Sequence, residues 1–336
     1  MIGLNKERID VIDKVLGKPV FAGDMKTEGL LFAVVYRSPR PHAWIKGIDV
    51  SRVSAQPGVV RIITAADIPG QNKFGAIKKD QPCLVEHRVR YIGEPILIIV
   101  GETEEAARKA MSFVKVDFED IESIHDPFMA EKSSTLIHDS GNLLSHRKAI
   151  KGDVNKGFAE SDVIVEHIYR TTWLDHGFME TEAGFAYLDD ADRIVVTSST
   201  QNIHYKMKEI SRVLGIPEDR VRIIQATTGG GFGGKLDVTV ELFLALAVHH
   251  IKKPVMMRFT REESFLSNTK RHPLYIEYKT GAKKDGSLQA VKVNIIGDTG
   301  PYISYGETVC LRVAVHSTGP YEVTNVYTDR RMFYTN

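Results

Sequence analysis

The sequence predicts a mixed α/β fold of the α+β kind, and three observations carry this. Runs such as 96–100 and 220–226 are rich in β-branched residues and read as strands. Met207, Ile210, Val213 and Leu214 fall on one side of a helix. Residues 96–118 read strand, helix, strand, which predicts an α/β unit with a right-handed crossover.

The chain of 336 residues is long enough for about two domains, and its composition is that of an ordinary globular protein. With 44 basic against 43 acidic residues, no nucleic-acid or other polyanion partner is implied. There is no 18-residue apolar run and no signal-peptide profile at the start, so no membrane partner is expected and cytoplasm is the default location. Cys83 and Cys310 form no C-x-x-C pair and cannot alone hold an iron–sulfur cluster or a structural zinc; they read as ordinary thiols.

In the first third, strands are expected at 29–37, 59–64, 96–100 and 114–118, with a helix over 102–113. Glu94, in Tyr91-Ile92-Gly93-Glu94-Pro95, reads as turn chemistry before a strand rather than as a catalytic carboxylate. His42 and His87 read as solvated or structural. Residues 120–150 lack periodicity and read as an irregular linker. The division is therefore 1–125, a linker over 126–150, and 151–336.

In the second part a short helix and turn at 158–162 precede an alternating strand at 163–173. His176 and Glu180 stand at i, i+4, the spacing of a metal pair on a helix, but Gly177 and the flanking strands argue against a helix and no third ligand is present. A strand at 194–199 leads to Gln201 and the amphipathic helix. Further elements are a strand at 254–259, a helix at 261–268, strands at 273–278 and 288–296 around a turn at 280–287, a helix-like run at 307–317, and last elements at 321–326 and 333–336.

Between the strand at 220–226 and a buried helix expected over 237–252 lies Thr227-Thr228-Gly229-Gly230-Gly231-Phe232-Gly233-Gly234-Lys235. A glycine-rich turn from strand to helix presents backbone N–H groups and suits an anion. Gly229, Gly231 and Gly234 satisfy G-x-G-x-x-G, but the acid expected about 20 residues on comes late. Gly229, Gly234 and Lys235 satisfy most of a P-loop, but Leu236 stands where a Ser or Thr would hold magnesium. Lys235 has two readings, loop or phosphate support against a solvated lysine at a helix start.

This turn, with Ser199-Thr200-Gln201-Asn202 upstream, resembles the molybdenum-binding subunit of the xanthine dehydrogenase and aldehyde oxidoreductase family. Phe232 follows Gln201 by 31 residues, as in that family. Also similar are the opening Arg8-x-Asp10…Asp13-Lys14-Val15…Ala22-Gly23-Asp24, the His176-x-x-x-Glu180 segment, and Arg271-His272-Pro273 through Ala290. The resemblance covers essentially the whole chain. It implies an N-terminal α/β hammerhead domain followed by the first part of a molybdopterin-binding domain. It implies a molybdopterin cofactor in a dinucleotide form, with no protein ligand to the metal. Gln201 becomes the catalytic residue and a cofactor contact, its amide donating to an oxygen on molybdenum. Gly230, Gly231, Phe232 and Gly233 become cofactor-binding, the ring of Phe232 shielding the site from water.

The implied activity is insertion of water-derived oxygen at an electron-poor carbon of a heteroaromatic or aldehyde substrate. Leu236 and Arg312 are the implied substrate contacts. Purine-oxidising relatives carry a glutamate where Leu236 stands, and Arg312 matches an arginine that could pair an anionic substrate such as a pyridine carboxylate. The family's second aromatic–arginine loop, further pterin contacts and base glutamate have no counterpart in this sequence. The resemblance thus implies a second molybdopterin-binding chain or C-terminal half supplying the catalytic glutamate. It also implies partner subunits carrying FAD and [2Fe-2S]. Two alternatives stay open: a nucleotide-binding enzyme using the 229–235 turn, and a non-catalytic assembly subunit.

Overall fold

A seven-stranded mixed sheet organises the chain, in a computed structural model that describes residues 2–336. Its order is Val221–Gln225, Ile194–Ser198, Ala183–Leu188, Val255–Arg258, Leu31–Arg37, Pro95–Gly101, Val59–Ile63. Pro95–Gly101 is apolar and buried along its whole length, as expected of a strand covered on both faces. Leu31–Arg37 runs parallel to Val255–Arg258, so strands from both ends of the chain share this sheet. Helix Glu241–Ile251 packs against it with Glu241 through Val248 all buried.

The expected crossover at 96–118 takes a different form. Helix Glu104–Met111 follows Pro95–Gly101, but Lys115–Asp120 joins a separate three-stranded sheet, beside Ala43–Asp49 and then Arg88–Val89. The two strands differ in character: Asp117 and Glu119 alternate with Val116 and Phe118, a pattern for a half-exposed sheet. A parallel pair joined by a helix does occur, at Ile194–Ser198, Ile203–Leu214 and Val221–Gln225.

The stretch read as irregular linker holds the helical turn Pro127–Ala130 and the strand Leu143–Lys151. That strand pairs antiparallel with Asn325–Phe333 in a five-stranded sheet continued by Leu288–Asp298, Leu274–Ala282 and Val163–Arg170. Its charged residues face solvent and its partner is distant in sequence, so local periodicity carries no sign of it. The final strand spans Asn325–Phe333 rather than two short pieces. Helix Glu241–Ile251 begins later than expected, because Asp237 is held by Ser304 Oγ and Tyr205 OH.

Thr299, Gly300, Pro301, Tyr302, Ser304 and Tyr305 line a cavity, and their segment, 298–305, is fastened by carboxylates from several parts of the chain. Asp298 accepts from Gly300 N and Thr335 Oγ1, at 2.9 and 2.7 Å. Glu94 accepts from Tyr302 OH and Arg90 N, and Asp80 from Ile303 N at 3.1 Å. Burial pushes Glu94 up to about 7, and Asp80 and Asp298 up to about 6. Each folded value lies above the ordinary carboxylate value, so each group's stabilising contribution is complete in acid and is lost as pH rises through about 6 to 7. Glu94→Gln removes one of these titrations while keeping a partner for Tyr302 and Arg90 N–H. Its unfolding midpoint in urea is expected to improve relative to wild type between pH 5 and pH 8. A constant difference across that range would contradict this role for Glu94.

Candidate functional site

Strand register brings the two candidate segments together. Ile194–Ser198 and Val221–Gln225 are neighbouring parallel strands with Ser198 opposite Gln225. Gln201 leaves the carboxyl end of one and the glycine turn leaves the same end of the other. Crevices at the carboxyl ends of parallel strands are where α/β sheets place ligands. Helix Ile203–Leu214 starts at once, capped by the Asn202 side chain accepting from Tyr205 N, and stops at Gly215 in the left-handed region. A buried ion pair, Lys206 Nζ to Glu241 Oε1 at 2.7 Å, ties this helix to the one after the glycine turn. Ser198 Oγ and Thr239 N also donate to Glu241. Burial works to raise the Glu241 carboxyl, but the Lys206 ammonium and these donors outweigh it and hold it below its ordinary value.

The Gln201 side chain docks on the turn through its oxygen. Gly233 N and Lys235 N donate to Gln201 Oε1, at 3.1 and 3.2 Å, and Gln201 N donates to Lys235 O at 3.1 Å. Two N–H donors fix which amide atom is oxygen, so Nε2 is the end left for a ligand. Among the described residues, no protein group accepts from Gln201 Nε2, and the N–H groups of Gly230, Gly231 and Phe232 have no acceptor. Phe232 is at φ 49° and the residue is 75% exposed.

The glycines are required by contact. A Cβ on Gly231 would lie 2.6 Å from Gln201 Oε1, and one on Gly229 would lie 2.6 Å from Glu180 Cβ. Gly230 and Gly233 sit at φ +100°, where side chains are strained.

Segment 176–180 underlies the turn. Phe178 is buried, and Gly234 leaves room for His176, Phe178 and Asn268. Glu180 Oε2 accepts from Gly229 N at 2.7 Å and from Lys235 Nζ at 2.9 Å. Lys235 is fully buried rather than solvated, and burial lowers its pKa against the opposing pull of Glu180. His176 lies against Gly233 and Gly234, while the Glu180 carboxylate is taken up by Gly229 N and Lys235 Nζ; among the described residues the two belong to no group of three or more possible metal ligands. Sequence reasoning missed the Glu180–Lys235 link; the signal was that His176, Phe178 and Glu180 alternate with Gly177 and the exposed Met179.

A cavity of about 930 Å3 opens beside Gly233, with Leu236, His176, Lys270, Arg271 and Tyr305 among its walls. Leu236 lines this cavity. Arg312 does not line this cavity: it is exposed on helix Gly306–Val315, and Val309 and Val313 of that helix face the space instead.

The arrangement fits a molybdopterin group on its own geometry. Among the described residues, three backbone N–H groups and one carboxamide lack protein partners, close packing on Phe178 and Gln201 leaves no room for a Cβ at Gly230 or Gly231, and neutral donors suit an oxygen-bearing, anionic ligand without ligating a metal.

Comparison with protein families gives the class. Residues 137–336 match the molybdopterin cofactor-binding domain, and residues 16–122 match the a/b hammerhead domain of aldehyde oxidase and xanthine dehydrogenase. The chain belongs to this family of molybdenum oxidoreductases. It is 44% identical over its whole length to the nicotinate dehydrogenase large molybdopterin subunit of Eubacterium barkeri, covering 79% of that protein. It is 35% identical to a probable xanthine dehydrogenase subunit of Bacillus subtilis (strain 168), over 99% of this chain and 45% of the relative. The aldehyde oxidoreductase of Desulfovibrio gigas has the same fold, with a TM-score of 0.93 and 28% identity over 98% of this chain and 38% of that one. The chain thus spans less than half the length of the latter two proteins. No helix among the described residues is long and apolar enough to cross a membrane.

Proposed function

We propose that this chain is the cofactor-binding part of a cytoplasmic molybdenum hydroxylase acting on an electron-poor carbon, with a planar heteroaromatic compound favoured over an aldehyde as substrate. The observation that carries it is the docking of Gln201 Oε1 on Gly233 and Lys235 N–H, which leaves Nε2 and the N–H groups of Gly230, Gly231 and Phe232 without protein partners among the described residues. The match to a protein named for nicotinate supports the heteroaromatic class, and Leu236 in the cavity wall suits an apolar ring edge. The reading takes residues 1–125 as the hammerhead unit, 126–150 as a connection, and 151–336 as the first portion of the cofactor domain.

When bound, the molybdopterin group supplies the redox centre and the site of oxygen transfer. The chain's own residues bind and orient it. Gln201 Nε2 would donate to an oxygen of the group, and the N–H groups of Gly230, Gly231 and Phe232 would donate to its other acceptors. The Phe232 ring excludes water once a second polypeptide closes over it. That second chain or C-terminal half would supply the base carboxylate, and partner subunits carrying [2Fe-2S] and FAD would accept the electrons.

Gln201→Leu tests this. Removing one preorganised donor typically costs about 10²–10³ in turnover. With a pyridine carboxylate, a purine and an aromatic aldehyde as probes, the variant is expected to lose that much activity while keeping most of its molybdenum. Unchanged turnover would overturn the assignment. Tight binding of ATP or NAD by the wild-type chain would instead favour a nucleotide enzyme, and an intact complex free of molybdenum would favour an assembly subunit.

A further inference from the structure

We infer that Glu180 and Lys235 are positioning residues that pin both ends of the glycine turn to a single carboxylate and so hold the turn in its ligand-ready shape. The inference rests on reading the turn as the cofactor cradle. Five glycines within six positions give the chain between Gly229 and Gly234 great freedom when unliganded, and ordering it costs entropy that something must offset. The offset is visible in the contacts. Glu180 Oε2 receives Gly229 N–H at the entry of the turn and Lys235 Nζ at its exit. Lys235 Nζ also donates to Glu180 O at 2.9 Å, and lies 4.6 Å from the centre of the Phe178 ring. Glu180 N also donates to Gly229 O at 3.2 Å, so one residue grips the lysine twice and the first glycine twice.

The pair has the features of a preorganising device. Lys235 is fully buried and the Glu180 side chain is 15% exposed, so water does not compete strongly for either. Hydrogen bonds to charged groups in such surroundings are the strong ones. Lys235 N also donates to Gln201 Oε1, so a displaced lysine would loosen the orientation of Gln201 as well. Neither side chain lines the main cavity, and both act through the turn rather than on a substrate. The His176-x-x-x-Glu180 spacing thereby gains a physical account. His176 lies under Gly233 and Gly234, Phe178 under Gly230 and Gly234, and Glu180 under Gly229.

The test uses the full chain with the subunits it retains, as wild type, Glu180→Gln, Lys235→Met and the double variant. Glutamine can still accept from Gly229 N–H but loses the charge. Methionine keeps the apolar stem over Phe178. Amide hydrogen exchange of peptides spanning 226–236 is compared with that of the 194–198 strand. Each single variant is expected to raise exchange in the turn about 10- to 100-fold, the factor for losing one hydrogen bond to a charged group, while the strand keeps its protection. The double variant should be no worse than the worse single one, since both remove the same link. Pterin content, read from its fluorescence after oxidation, should fall alongside.

Unchanged exchange in the turn overturns the positioning role whatever the pterin content. Additive effects in the double variant overturn it too. Should Lys235→Met fail to fold, the Glu180→Gln comparison alone decides on the same criterion. If the turn loosens as expected but wild type holds no pterin, the positioning role stands and the cradle reading falls.

Discussion

Lys206→Met is expected to destabilise the chain by about 3–5 kcal/mol, the usual cost of removing one partner from a buried ion pair. Lys206 and Glu241 are both fully buried, and methionine would leave the Glu241 carboxylate in the core with only Ser198 and Thr239 as donors. The loss should appear as a lower midpoint in urea unfolding. The double variant Lys206→Met, Glu241→Leu should recover much of it, because well-packed apolar residues often replace such a pair at little cost. The pair joins the helix that follows Gln201 to the helix that follows the glycine turn, so its loss should also loosen the two segments against each other. A Lys206→Met chain as stable as wild type would mean that the two helices are not coupled in this way.

Gly231→Ala is expected to cost about 100-fold in turnover, the scale of a misplacement by about 1 Å near the chemistry. Its backbone is not in the left-handed region, so the added methyl acts by contact alone. That methyl would sit 2.6 Å from Gln201 Oε1 and 2.8 Å from Gln201 Cδ, and the carboxamide must move. Global stability should change little, because Gln201 is exposed and free to yield. The check is kcat against KM with the substrate probes, together with the urea midpoint. Full activity in the Ala variant would show that Gln201 is not held where its docking on the turn puts it.

Much of this site was legible in the sequence. Gln201 and the 229–235 turn stand out because β-branched runs precede both and glycine or polar residues interrupt them. That is a local signal, and the parallel register of the two strands turns it into proximity. The apolar strand at 95–101 and the helix at 203–214 are local as well. What stayed hidden depends on distant partners. Leu143–Lys151 is a strand only because Asn325–Phe333 lies beside it. Lys115–Asp120 leaves the sheet of Pro95–Gly101 for another; its alternating charges mark it as half-exposed but do not say which strand it pairs with.

Buried charge was the other blind spot. Periodicity marks Met207, Ile210, Val213 and Leu214 as the inner face of their helix, yet Lys206 and Glu209 are also buried, paired with Glu241 and with Lys79 and Arg212. Lys235 could be read as solvated for the same reason: a sequence shows a charge but not the carboxylate that receives it. The outward direction of Arg312 is likewise set by how helix Gly306–Val315 packs, with Val309 and Val313 toward the cavity.

The most direct measurement is anomalous diffraction at the molybdenum edge from crystals of the chain with the subunits it retains. The account predicts one molybdenum peak on the open side of the 229–235 turn, placed so that an oxygen ligand comes within hydrogen-bonding reach of Gln201 Nε2. A peak away from that turn, or an intact assembly with no peak at all, would contradict it.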